Sequence, residues 1–115
     1  MKTITVSVLL VLVSAFAQAG DHATCILDKM PGMQNDAAAY AVSTLCLQKN
    51  PGGFSVIEQG SGRGLFSYDS GAECAAKKAA GTPSLIGGRL IYVACNKLYD
   101  KPKPQVGMFD DLVNK

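Results

Sequence analysis

The chain carries no tryptophan and a single histidine, and charged side chains occupy only 17% of its 115 positions. Scarce histidine leaves one place for the residue that most often serves as general base or metal ligand. That residue, His22, would stand third in the chain once the apolar leader described below is removed, and chain ends fray, so no catalytic role is expected of it. No serine sits in a Gly-x-Ser-x-Gly setting, and no cysteine pair has the Cys-x-x-Cys spacing of redox or haem-attachment motifs. The four cysteines stand 21, 28 and 21 residues apart. A structural zinc site brings its ligands in pairs roughly two to four residues apart, so neither a metal nor another cofactor is expected. An excess of one charge is also missing. The net charge is +2, and Lys29, Lys49, Arg63, Lys77, Lys78, Arg89 and Lys97 are scattered, so no nucleic-acid partner is expected.

One apolar run exists, and it is short. Lys2 is followed by Ile4 to Phe16 and then by Ala17-Gln18-Ala19, which is the order of a secretory signal peptide: a positive start, an apolar core and a small-x-small cleavage site. The run falls below the ~18 residues that span a bilayer, so no membrane anchor is expected after cleavage. Residues 1–19 are therefore read as the signal peptide, with Gly20 as the first mature residue. Residues 20–100 form a single disulfide-stabilised domain in the periplasm or outside the cell. Residues 101–115, opened by Pro102 and Pro104, form a disordered tail.

All four cysteines, at 25, 46, 74 and 95, lie after the leader, an even number in an oxidising compartment. Four cysteines allow three pairings. Their spacing contains a repeat: Cys25 to Cys46 and Cys74 to Cys95 are both separations of 21, and overlaying the two segments puts Lys29 on Lys78, Gly32 on Gly81 and Asn35 on Ser84. Each unit reads as cysteine, short segment, glycine break, cap residue, helix, cysteine. A duplicated unit with its own pair favours Cys25 with Cys46 and Cys74 with Cys95. In that pairing the later cysteine lies ~16 Å up its helix, so the earlier segment must be partly extended or the break must climb.

The fold class that follows is mainly α. Residues 36–49 place Ala38, Ala41, Val42, Leu45 and Cys46 at three- and four-residue steps, and Asn50-Pro51-Gly52-Gly53 ends the helix. Residues 84–99 do the same with Ile86, Leu90, Val93, Ala94 and Leu98. Inside them Gly87-Gly88 costs about 1 kcal/mol per glycine, a cost offset by close helix approach unless the helix starts only near Arg89. Residues 70–80 form a short helix that Gly81 ends. Between the units, β-type residues at 54–58 and 64–68 flank a glycine-rich centre and predict a small β-hairpin.

The residues Cys25-Ile26-Leu27, Met30, Gly32, Asp36, Ala38-Ala39, Val42 and Cys46 resemble a pattern of small secreted proteobacterial proteins with no assigned activity. Glu73-Cys74 through Ala94-Cys95 to Asp100 is similar to the closing half of some of them. The resemblance covers roughly residues 24–100 and implies an architecture without a function.

What remains for function is the glycine-rich centre. Gly60-Ser61-Gly62-Arg63-Gly64 lacks the Lys-Ser/Thr of a phosphate loop and is followed by strand-like residues, so it reads as a hairpin tip. Arg63, flanked by glycines and close to Phe66 and Tyr68, reads as a protruding recognition group for a protein partner. Ser61-Gly62 ahead of a tyrosine is similar to the loop motif of periplasmic lysozyme inhibitors, which are β-barrels, with the tyrosine displaced here to Tyr68. That resemblance implies an inhibitor or immunity-type protein as an alternative. An alternative of another class is a small hydrolase using Asp69 and Glu73, with Tyr68 as a third group, although residues at a helix start more often act as cap and dipole partners. The expectation is a non-enzymatic binding protein.

Overall fold

A computed structural model describes residues 20–103. Residues 1–19, the expected signal peptide, and residues 104–115 of the expected tail lie outside the described residues. The elements are α1 (His22–Lys29), α2 (Asp36–Lys49), a short 3-10 turn (Gly53–Val56), α3 (Gly71–Lys78) and α4 (Leu85–Tyr99). Each helix starts on a side-chain oxygen that takes one of the N–H groups left without an intrahelical acceptor. Asp21 Oδ1 accepts from Thr24 N, Asn35 Oδ1 from Ala38 N, Ser70 Oγ from Glu73 N and Ser84 Oγ from Gly87 N, at 2.7 to 3.1 Å. Such caps contribute about 1 kcal/mol each.

The repeat seen in the cysteine spacing extends to the backbone. A shift of 49 residues carries the start of α1 onto that of α3, the start of α2 onto that of α4, and every N-cap residue onto its counterpart. The turn within each unit is the same: Met33 N donates to Met30 O and Thr82 N to Ala79 O, both at 3.1 Å. Gly32 and Gly81 both sit there at positive φ, 84° and 70°, which side chains rarely adopt. The cysteines pair within units, Cys25 with Cys46 and Cys74 with Cys95, at Cα separations of 5.7 and 5.5 Å. Each bridge closes a loop of the same sequence separation, 21, which corresponds to roughly 3 kcal/mol of chain entropy. Cys25 lies in the middle of α1 rather than in an extended segment, so the break at Met30 to Asn35 makes the climb.

Tertiary packing does not repeat. α4 packs against α1, α2 and α3, whereas α2 packs on α1 and α4. The core gathers around α4: Ile91, Ala94 and Cys95 are completely buried and meet Ala23, Ile26 and Met30 of the first unit. The buried faces are rotated from those the apolar spacing suggested. On α2 the buried residues are Ala39 and Cys46, and Leu45 is exposed; on α4, Gly87 and Ile91 replace Val93 on the buried side. Gly87 packs on Ser84 and Thr82, in its own cap and the turn before it, rather than against another helix, and α4 already starts at Leu85.

The predicted β-hairpin is absent. Residues 54–58 and 64–68 contain no strand; the first span lies largely within the 3-10 turn and the second is irregular. Ring-to-ring packing of Phe54 on His22, centroids 4.5 Å apart, holds the 3-10 turn against α1. In place of a projecting tip, the glycine-rich centre between the two spans folds back onto the C-terminal end of α4.

Candidate functional site

The last four carbonyls of a helix lack the regular donor from a following turn. In α4 these are Asn96, Lys97, Leu98 and Tyr99. Asn96 O takes the N–H of Asp100 just past the helix end, and the glycine-rich loop supplies a donor to all four. Gln59 Nε2 donates to Asn96 O at 2.6 Å, Gly60 N to Lys97 O at 2.8 Å, Gly62 N to Leu98 O at 2.9 Å, and the Arg63 guanidinium to Tyr99 O at 2.6 Å. Two of these donors are the backbone N–H groups of Gly60 and Gly62, at the expected hairpin tip, so the centre of the loop is bonded to α4 instead of projecting between two strands. The loop is therefore a C-terminal cap on α4. Gly62 is required by contact: a Cβ there would lie 3.1 Å from Leu98 O and 2.9 Å from the Tyr99 ring.

This cap changes the meaning of Arg63. Sequence reasoning had it protruding; it is half-buried, and the same guanidinium nitrogen also donates to Asp69 O at 2.9 Å. A cation at a helix C-terminus is favoured by the helix dipole as well. Arg63 fastens the two ends of the loop to α4. Ser61-Gly62, the stretch similar to an inhibitor loop, is held down by the same cap.

Beyond Arg63 the chain leaves the body. Gly64 and Ser67 close a tight turn, with Ser67 Oγ accepting from Gly64 N at 2.9 Å and donating to Gly64 O at 3.0 Å. The two residues between them, Leu65 and Phe66, are 91% and 97% exposed. Burying a phenylalanine side chain is worth about 1.5–3 kcal/mol, a gain that these two adjacent apolar side chains do not contribute to folding. Phe66 was a predicted site residue; Leu65 was not.

Tyr68, the third predicted binding residue, is half-buried. Its ring meets Tyr99 edge-on at 5.2 Å and lies under Lys77 Nζ, 5.5 Å from the centroid. Burial, with smaller repulsion from Tyr68 and Asp21, pushes the Tyr99 hydroxyl above its ordinary pKa. Tyr68 is the root of the loop rather than its tip.

The two carboxylates of the hydrolase alternative, Asp69 and Glu73, stand at the start of α3. Ser70 Oγ accepts from Glu73 N as the helix cap, and Glu73 Oε2 accepts from Asp69 N, one residue before that cap, at 3.2 Å. Glu73 and Tyr68 line an open hollow of about 370 Å³ together with Phe66, Ser67, Lys77 and Tyr99, and Asp69 is not part of it. Asp69 contributes its backbone to the loop, through its carbonyl and its N–H. Asp100 also supports a helix start, since its Oδ1 accepts from Gly71 N at 2.8 Å at the beginning of α3. No group of three or more histidine, cysteine or acidic side chains among the described residues is placed to hold a metal. No described helix is long and apolar enough to cross a membrane. The chain matches no protein-family model, no curated protein and no solved structure.

Proposed function

We propose that the chain is a secreted or periplasmic, non-enzymatic binding protein that engages a protein partner through the turn Gly64–Ser67, with Phe66 and Leu65 as the anchor. The observation that carries this reading is the 97% and 91% exposure of these two side chains on a loop whose base is fixed by donors to four successive helix carbonyls. A preset loop loses little conformational freedom on binding, which is what lets a small contact bind specifically. Aromatic anchors that enter an apolar pocket commonly dominate interfaces of this kind. The two disulfides and the apolar leader support an oxidising compartment, with cleavage between Ala19 and Gly20. Similarity to small secreted proteobacterial proteins of unassigned function points to the same setting.

Replacing Phe66 by serine tests the anchor. The side chain is almost wholly in water, so the melting temperature should stay within about 2–4 °C of the parent, the shift that corresponds to surface changes within ±0.5 kcal/mol. Pull-down from an extract of the compartment should retain a partner on the parent protein and lose it on Phe66→Ser. Equal retention by both would remove the turn from the binding surface.

A further inference from the structure

The lone histidine, set aside as a catalyst, stands in a position with another chemistry. Cleavage between Ala19 and Gly20 leaves Gly20-Asp21-His22 as the new amino terminus. A free α-amine followed by two amides and then a histidine presents four nitrogens that can surround one ion in a plane: the amine, the amide nitrogens of the second and third residues, and the imidazole Nδ1. Square-planar nitrogen sets select Cu(II), and after it Ni(II). We propose that the mature chain binds one Cu(II) through the Gly20 amine, the Asp21 and His22 amide nitrogens and His22 Nδ1. The site rests on the secretory reading and is independent of the Phe66 anchor.

Two structural observations support it. His22 is 97% buried, being 3% exposed, and its Nδ1 is a buried polar atom with no hydrogen-bond partner. Buried polar groups are almost always satisfied, so an orphan Nδ1 is the atom left open for a ligand. The amides follow the same pattern. Thr24 N donates to Asp21 Oδ1 at 2.7 Å and Cys25 N to Asp21 O at 3.0 Å, while the N–H groups of Asp21 and His22 have no acceptor among the described residues. Competing ligands are few, because both cysteine pairs are closed as disulfides and the chain has no second histidine. Binding sends the two amide protons, and the amine's proton where present, to water; the two resulting amide anions balance the ion's two positive charges.

The site is not preformed, which gives a distinctive readout. Chelation needs the Asp21 and His22 nitrogens on the same side of the Asp21 Cα–C bond, and Asp21's ψ of 174° holds them on opposite sides. Loading therefore turns this bond and releases the α1 cap. Square-planar Ni(II) is diamagnetic, so hydrogen exchange by NMR can follow the Thr24 and Cys25 amides in the loaded protein, and their protection should fall.

The test uses protein beginning at Gly20, titrated with Cu(II) alone. The expected result is one equivalent bound with the absorption and electron-spin signature of a planar four-nitrogen site, lost in a chain carrying one extra alanine before Gly20. The extended chain keeps His22 on Phe54 and so keeps its fold, which His22→Ala does not guarantee. A four-nitrogen signature that survives the extension, or none from the Gly20 chain, overturns the site. Protection of the Thr24 and Cys25 amides unchanged by Ni(II) overturns it as well. N-terminal sequencing of protein exported from cells expressing the full chain should read Gly20 first. Another first residue overturns the cleavage on which the site depends, whatever the chelation result.

Discussion

α2 and α4 start on the same kind of cap, carry their disulfides at equivalent positions and follow the same turn, yet they do different jobs. α2 buries Ala39 and Cys46 and leaves Tyr40, Leu45 and Leu47 between 43% and 60% exposed. α4 buries Gly87, Ile91, Ala94, Cys95 and Leu98 and touches every other helix. The difference shows that duplication of a unit fixes its local geometry and leaves its place in the core to be decided by its partners. At its C-terminal end α2 has the Asn50 side chain on Cys46 O, whereas α4 has a whole loop folded back on its last four carbonyls.

The sharpest way to break this comparison uses the equivalent positions Ile91 and Val42, which the 49-residue shift superimposes. Ile91 is completely buried and Val42 half-buried. Ile91→Ala should cost about 2–5 kcal/mol in urea unfolding, the range for a large core side chain replaced by alanine. Val42→Ala should cost under about 1 kcal/mol, since two partly wet methyl groups are removed. Equal costs would mean that the units share the core evenly.

The next effect concerns the loop cap, which α2 lacks. Arg63→Ala removes the donor to the half-buried Tyr99 carbonyl and the exposed Asp69 carbonyl and should cost about 1 kcal/mol, the net worth of an ordinary hydrogen bond, since water can reach the acceptors left behind. Arg63→Lys should recover part of it, because an ammonium keeps the charge near the helix end but cannot reproduce the guanidinium's fork. A variant as stable as the parent would return Arg63 to the surface role that its glycine neighbours suggested.

These contrasts also mark what was legible in the residues. Cap residues announced α2 and α4 closely, because Asn35 and Ser84 act within their own turns, and α3 falls within the expected 70–80 with Ser70 as its cap. The disulfides followed from equal spacing. The buried faces were harder: α4 is apolar almost all round, from Leu85-Ile86 through Leu90-Ile91-Tyr92-Val93-Ala94, so periodicity alone does not say which side meets α1. The loop was read as strands because Val56, Ile57, Leu65, Phe66 and Tyr68 are β-type residues. Its fate was decided 36 to 41 residues away, by the carbonyls at the end of α4 and by that of Asp100 just beyond. Phe66, singled out as an aromatic near Arg63, is exposed, whereas Arg63 is half-buried because its glycine neighbours mark a close fit and not exposure.

The smallest expected effect sits where the two long helices begin side by side. Asp36, the first residue of α2, accepts from Ser84 Oγ at 2.7 Å and from Ile86 N at 3.3 Å, so the acidic start of one unit caps the other. The Ser84 hydroxyl, and after it the Ile86 amide, hold the Asp36 carboxyl below the ordinary carboxylate pKa, outweighing a smaller upward push from desolvation. A carboxyl whose folded pKa is depressed stabilises the fold above its unfolded value of about 4 and loses that contribution as pH falls toward the folded value. Melting temperature should therefore decline below about pH 4 more steeply in the parent than in Asp36→Asn, which keeps an oxygen for Ser84 but has no charge to lose. Because Asp36 is exposed, the difference between the two curves should be small and should shrink further in high salt. Parallel curves would show that the contact between the two helix starts is made by the neutral hydrogen bond alone. The equivalent residue of the second unit, Leu85, has no carboxylate to offer in return, so this link runs in one direction, from the first unit to α4.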